Sequence, residues 1–154
     1  MTHYSRKLRV PFDEVLATIT QNLKRQGFSI ITSIDVQNTF RENLKVGFRK
    51  YKVLGACNPL LAYKAISLEA HAGTMLPCNI VIQEHENGEV EVSAANPLES
   101  IPEEEQTPTL KNLSREIGIR LRASVDFIQR EFTCQQDEAI TDEGNKHYSC
   151  FIPG

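Results

Sequence analysis

Pro77-Cys78-Asn79-Ile80-Val81-Ile82-Gln83-Glu84-His85-Glu86-Asn87-Gly88-Glu89-Val90-Glu91-Val92-Ser93-Ala94-Ala95 reads as a hairpin, and its register decides the fold. Apolar and polar residues alternate on both sides of Asn87-Gly88, the pattern of two half-buried strands. A two-residue turn at Asn87-Gly88 would set Val92 against Gln83 and Val90 against His85, which mixes the two faces. A three-residue loop, Glu86-Asn87-Gly88 with Gly88 at positive φ, keeps the faces consistent. Ile82 then faces Val92, Ile80 faces Ala94 and Cys78 faces Asn96. This register sends Cys78 to the core with Ile80 and Ile82.

Upstream of the hairpin, Asn58-Pro59 marks a helix start. Asn caps free N–H groups, and Pro fits the first turn because its missing N–H has no partner to lose. The helix is predicted over residues 59–70. It is apolar on most sides, through Leu60, Leu61, Tyr63, Ala65, Ile66 and Leu68, so it is expected to be largely buried. Residues 48–56 before it read as a strand. Further back, residues 5–10 and 28–36 read as strands, and residues 38–46 as a short helix or a loop. Between the first two strands, Phe12, Val15, Leu16, Ile19 and Leu23 recur at helical spacing, and Gly27 is placed to end that helix.

Downstream, residues 98–106 form a loop whose acidic run, Glu103-Glu104-Glu105, reads as solvated. Thr107-Pro108 repeats the cap-plus-proline start. Leu110, Leu113, Ile117, Leu121, Val125, Ile128 and Phe132 then mark one long amphipathic helix. The pattern fails after Thr133. Residues 1–132 therefore read as a single α+β domain and residues 133–154 as a polar tail.

The chain has 154 residues and a formal charge of −3. That balance supplies no basic field for nucleic acid or for a membrane surface. No run approaches the ~20 apolar residues of a membrane helix, and no signal segment follows Met1. The expected location is cytoplasmic, where the four cysteines stay reduced. Their spacings match no strong zinc signature. No glycine-rich phosphate loop and no Gly-x-Ser-x-Gly occurs.

Gly55-Ala56-Cys57-Asn58-Pro59, then Ala62-Tyr63-Lys64-Ala65, then Leu76-Pro77-Cys78-Asn79, together resemble the family known as domain of unknown function 302. Gly27-Phe28, Ile34-Asp35-Val36 and the closing Asn96-Pro97 fit the same pattern, over roughly residues 5–132. The resemblance implies a TATA-binding-protein-like α+β fold. That fold is an antiparallel sheet, here of about five strands, with helices packed on one face. It also implies a homodimer, because some members pair. It implies no activity, since the fold carries none.

With antiparallel strands before and after the helix, Cys57 and Cys78 come to one end of the sheet. A helix of about eleven residues travels ~16 Å out, and residues 70–76 can span ~20 Å back. The hairpin register brings Asn96 to the same end. Cys57, Asn58, Cys78, Asn79 and Asn96 thus form the candidate ligand-binding set. Cys57 also precedes a helix cap, where the positive end of the helix favours a thiolate.

Three readings follow from this set. The first is a ligand- or metal-binding module. Two thiols can hold copper(I), while zinc needs further ligands, for which His71 in the return loop is the candidate. The second is a thiol-redox protein cycling between dithiol and disulfide. His71 is also the nearest base for thiol chemistry. The third is an interaction domain in which the cysteines are small buried hydrophobes and the asparagines are caps and turns. His85, beside the hairpin tip, reads as solvated. His147 and Cys150 have ligand-like spacing in the tail. The basic stretch Arg41, Lys45, Arg49, Lys50 and Lys52, interleaved with Phe48 and Tyr51, reads as a solvent-facing edge able to meet an anionic partner.

Overall fold

The hairpin adopts the three-residue loop. Ile82 pairs with Val92 and Ile80 with Ala94. His85 N–H donates to Glu89 O at 2.8 Å and Gly88 N–H to His85 O at 2.9 Å. Gly88 lies at φ +83°, a conformation that glycine adopts without steric cost.

Around this hairpin the computed structural model describes residues 3–138. The order is β1 (His3–Leu8), α1 (Phe12–Arg25), β2 (Ser29–Asp35), α2 (Val36–Leu44), β3 (Tyr51–Cys57), α3 (Pro59–Leu68), a 3-10 turn (Ala70–Met75), β4 (Cys78–Glu84), β5 (Val90–Ala95), two further 3-10 turns (Pro97–Ser100 and Glu103–Glu105) and α4 (Pro108–Glu138). Among the described residues the strands form one sheet in the order β1-β5-β4-β3-β2. Every neighbouring pair is antiparallel. The α+β architecture expected from the sequence is the one observed.

One face of the sheet carries the core. Leu54, Ala56, Cys78, Ile80, Ile82, Val90, Val92 and Ala94 point to it. Val15, Ile19 and Leu23 of α1 cover it, with Leu113, Ile117, Leu121, Val125 and Ile128 of α4. These are the residues that recur at helical spacing, so period alone placed the two covering helices. Asn22, buried where α1 meets α4, donates through Nδ2 to Ser124 O at 3.2 Å. Among the described residues no helix is long and apolar enough to cross a membrane.

Four expectations shift. The first strand runs over His3–Leu8 rather than 5–10. Residues left open between helix and loop form α2, whose start is capped by Asp35 accepting from Asn38 N–H at 2.9 Å. The third strand begins only at Tyr51. Phe48 belongs to the corner before it, with its ring 5.0 Å from that of Phe40 and its carbonyl accepting from Gln37 Nε2 at 2.9 Å. The fourth shift concerns α3, which is not largely buried. Leu61, Ala62 and Ala65 face inward, while Leu60, Tyr63, Ile66 and Leu68 are exposed. The helix packs against α4 and the 3-10 turn that follows it, so only one side is covered. At the far end α4 continues past Phe132 to Glu138. His147 and Cys150 lie outside the described residues.

Candidate functional site

The site predicted from sequence begins where β3 hands over to α3. Ala56 pairs with Cys78, so Cys57 and Cys78 do lie at one end of adjacent antiparallel strands. The chain between them goes out through α3 and back through the 3-10 turn. Both thiols are free. The pleat separates them, because side chains alternate along a strand. Cys78 shares the core face with its partner Ala56, and Cys57, one residue further along β3, has the opposite parity. Burial pushes the Cys78 thiol up to about 11, with the nearby Cys57 adding to the effect. At neutral pH Cys78 is a protonated thiol inside the core, which is not the form that attacks or ligates.

Asn58 is a structural residue here. Its Oδ1 accepts from Leu61 N–H at 3.2 Å, a cap worth about 1 kcal/mol. Its Nδ2 lies against the turn at Gly27, where an added Cβ would come within 2.9 Å. His71 turns its ring to Glu69, Nδ1 to Oε1 3.0 Å, and its side chain is exposed. Among the described residues no three of His, Cys, Asp and Glu converge as a metal site. The sequence-predicted set therefore divides. Cys78, Asn79 and Asn96 line one groove, and Cys57, Asn58 and His71 do not.

That groove lies on the sheet face that no described helix covers, with a volume of about 1040 Å³. Its floor follows from strand parity. Val53, Val81 and Ser93 occupy the middle. At one end stand Asn79, Asn96 and Glu99, with His3 beside them. Asn96 Nδ2 donates to Glu99 Oε1 at 3.1 Å. At the other end stand Tyr51, Gln83 and Glu91. The floor is thus apolar in the centre and hydrogen-bonding at both ends.

Glu91 is the best-held polar group of the floor. His85 Nε2 lies 2.7 Å from its Oε2, Ser93 Oγ donates to its Oε1 at 3.1 Å, and Lys7 Nζ is 4.0 Å away. Burial raises its pKa, but the bonds from His85 and Ser93 and the charges of His85 and Lys7 outweigh that and hold the carboxyl below its usual value. A carboxyl lowered in the folded state stabilises the fold above its unfolded pKa, and that stability disappears as pH falls through the folded value. His85→Ala is therefore expected to move the midpoint of acid unfolding to higher pH, followed by circular dichroism. Lys7→Ala should move it less. A His85→Ala midpoint equal to that of the natural protein would refute this account of Glu91.

Sequence reading took His85 for a solvated residue and gave Gln83, Glu91 and Ser93 no role in a site. Their signal was present in the polar parity of β4 and β5. The same alternation describes a plain solvent-facing sheet, and only the strand order shows that they adjoin.

The family model described as Domain of unknown function DUF302 matches residues 4–128. A crystal structure of an uncharacterized conserved DUF302 protein from Bacillus stearothermophilus is similar, with a TM-score of 0.75 and 26% sequence identity. The likeness covers 82% of this chain and 97% of that one. No curated protein matches the chain.

Proposed function

The chain belongs to the DUF302 family, whose description names no activity, and from that premise we propose that it is a binding module for a small organic ligand held in the groove on the uncovered sheet face. The observation that carries this reading is the groove itself. Its volume of about 1040 Å³ is at the upper end of what small-molecule sites use. An apolar centre flanked by hydrogen-bonding ends suits a ligand with an apolar body and polar termini. Asn79 and Asn96 belong to one of those ends, so part of the predicted set supports the reading, while the Cys78 side chain turns to the core. Thiol chemistry is disfavoured by the burial and protonation of Cys78.

The neutral dye Nile red tests the reading. It should bind saturably with a rise in fluorescence and shift the backbone amides of Val53, Val81 and Ser93. Val81→Phe and Ser93→Phe, which fill the groove, should remove the binding, and Tyr63→Ser on the exposed side of α3 should leave it. Amide shifts confined to Leu60, Tyr63 and Ile66, or binding that survives both filled-groove variants, would overturn it.

A further inference from the structure

The structure splits the basic stretch that the sequence presents as one run. Lys50 sends its ammonium over the ring of Phe12, 5.8 Å from the centroid, on the helix-covered side. Arg49 goes to the uncovered face. Its guanidinium lies 4.5 Å from the Phe48 centroid and 5.4 Å from that of Tyr51. Nε and Nη2 both donate to Oε1 of Gln83, at 3.1 and 2.9 Å. Gln83 is the strand partner of Tyr51, so the pairing of β3 with β4 sets acceptor and ring together beneath the guanidinium.

Arg49 is thus held in one plane by neutral groups, and among the described residues no carboxylate pairs with it. Two of the nearby carboxylates are matched elsewhere. Glu91 meets His85 and Lys7, and Glu89 meets Arg9 at 3.5 Å. The Nη1 edge of Arg49 is left available. Gln83 holds the side-on pair Nε and Nη2, and the Nη1–Nη2 end that remains can take two oxygens of a carboxylate or phosphate side by side. Arg49 lines a second groove of about 950 Å³, together with Lys7, Phe48 and His85. Glu86 and Glu89 line it as well, which disfavours a polyanion and suits a single oxyanion group.

We propose that Arg49, stacked on Phe48 and Tyr51 and braced by Gln83, anchors a subsite for the carboxylate or phosphate group of a small organic anion. Lys7 and the imidazole of His85 line the same groove and can add hydrogen bonds to the same group. The aromatic pair gives a flat face to a ring carried by the ligand. Tyr51 and Gln83 also belong to the first groove, but the subsite lies in the second and stands independently of what fills the first.

Benzoate and phenyl phosphate are the probes, titrated into the full chain and followed by the Arg49 Nε–H resonance and the amides of Phe48 and Tyr51. A saturable shift is expected for at least one of the two, and the tighter of them identifies the oxyanion. Arg49→Lys keeps the charge but loses the fork, and should weaken binding about tenfold. Arg41→Lys, on α2, should leave it unchanged. Arg49 is exposed, so the variant keeps its fold. Absence of a saturable shift with both probes would overturn the proposal. So would an Arg49→Lys protein that binds as the natural one does, or an equal loss in Arg41→Lys.

Discussion

Gly55→Ala is expected to destabilise the protein by about 3 kcal/mol or more, at the upper end of what overpacking a filled site costs. Gly55 is buried in β3 beside Thr32 of β2. A Cβ built there would stand 2.1 Å from Thr32 Oγ1, 2.7 Å from Pro77 Cγ and 3.2 Å from Pro77 Cβ. The hydroxyl is the end of a side chain and can turn aside. The pyrrolidine ring is rigid and cannot. Thr32→Ala in the Gly55→Ala background should therefore recover part of the loss and leave the part that Pro77 imposes. Urea unfolding with an unchanged m-value measures both. A Gly55→Ala protein as stable as the natural one would mean that β2 and the segment at Pro77 yield freely, and the close approach would have no energetic weight.

A chain ending at Ser124 is expected to lose cooperative unfolding altogether, whereas one ending at Thr133 keeps its melting temperature and assembly state. Val125 and Ile128 are fully buried, and two such side chains contribute about 1.5–3 kcal/mol each, against a total stability of about 5–15 kcal/mol for a domain. Between them Asp126 accepts the Tyr4 hydroxyl and meets Arg6 Nη2 at 3.1 Å. The shorter chain loses all of these, and of the hold of α4 on β1 it keeps Arg122 over the Tyr4 ring. Calorimetry and light scattering on the two chains decide the matter. A drop in melting temperature for the Thr133 chain would make the residues beyond it part of the fold.

How far the sequence could be read depended on whether the property was local. The hairpin register followed from alternation and from one glycine, and the cap at Asn58 from two adjacent residues. The meeting of Cys57 and Cys78 at one sheet end needed only lengths and an antiparallel pairing. Apolar content made α3 look buried, but content does not say how many sides a neighbour covers, and α3 has its neighbours on one side. The Glu91–His85 bond joins residues six apart, across the loop where sequence reading placed only solvent. Arg49 was noticed as a charge. Its fixing by Phe48, Tyr51 and Gln83 depends on the pairing of β3 with β4, which no single stretch contains.

The strand order has a consequence for the timing of synthesis. β1 leaves the ribosome first, yet its partner is β5, with His3 opposite Ala95 and Leu8 opposite Val90. Strands β2, β3 and β4 each pair with the next in sequence, so β2 to β5 can assemble as they emerge. β1 must wait as an unpaired arm until residue 95 is available, and its contacts with α4 wait longer still. Pairings of such wide sequence separation are the slow ones, because the intervening loop must close first. Of the five strands, β1 is made first and is thus the last that translation allows to dock.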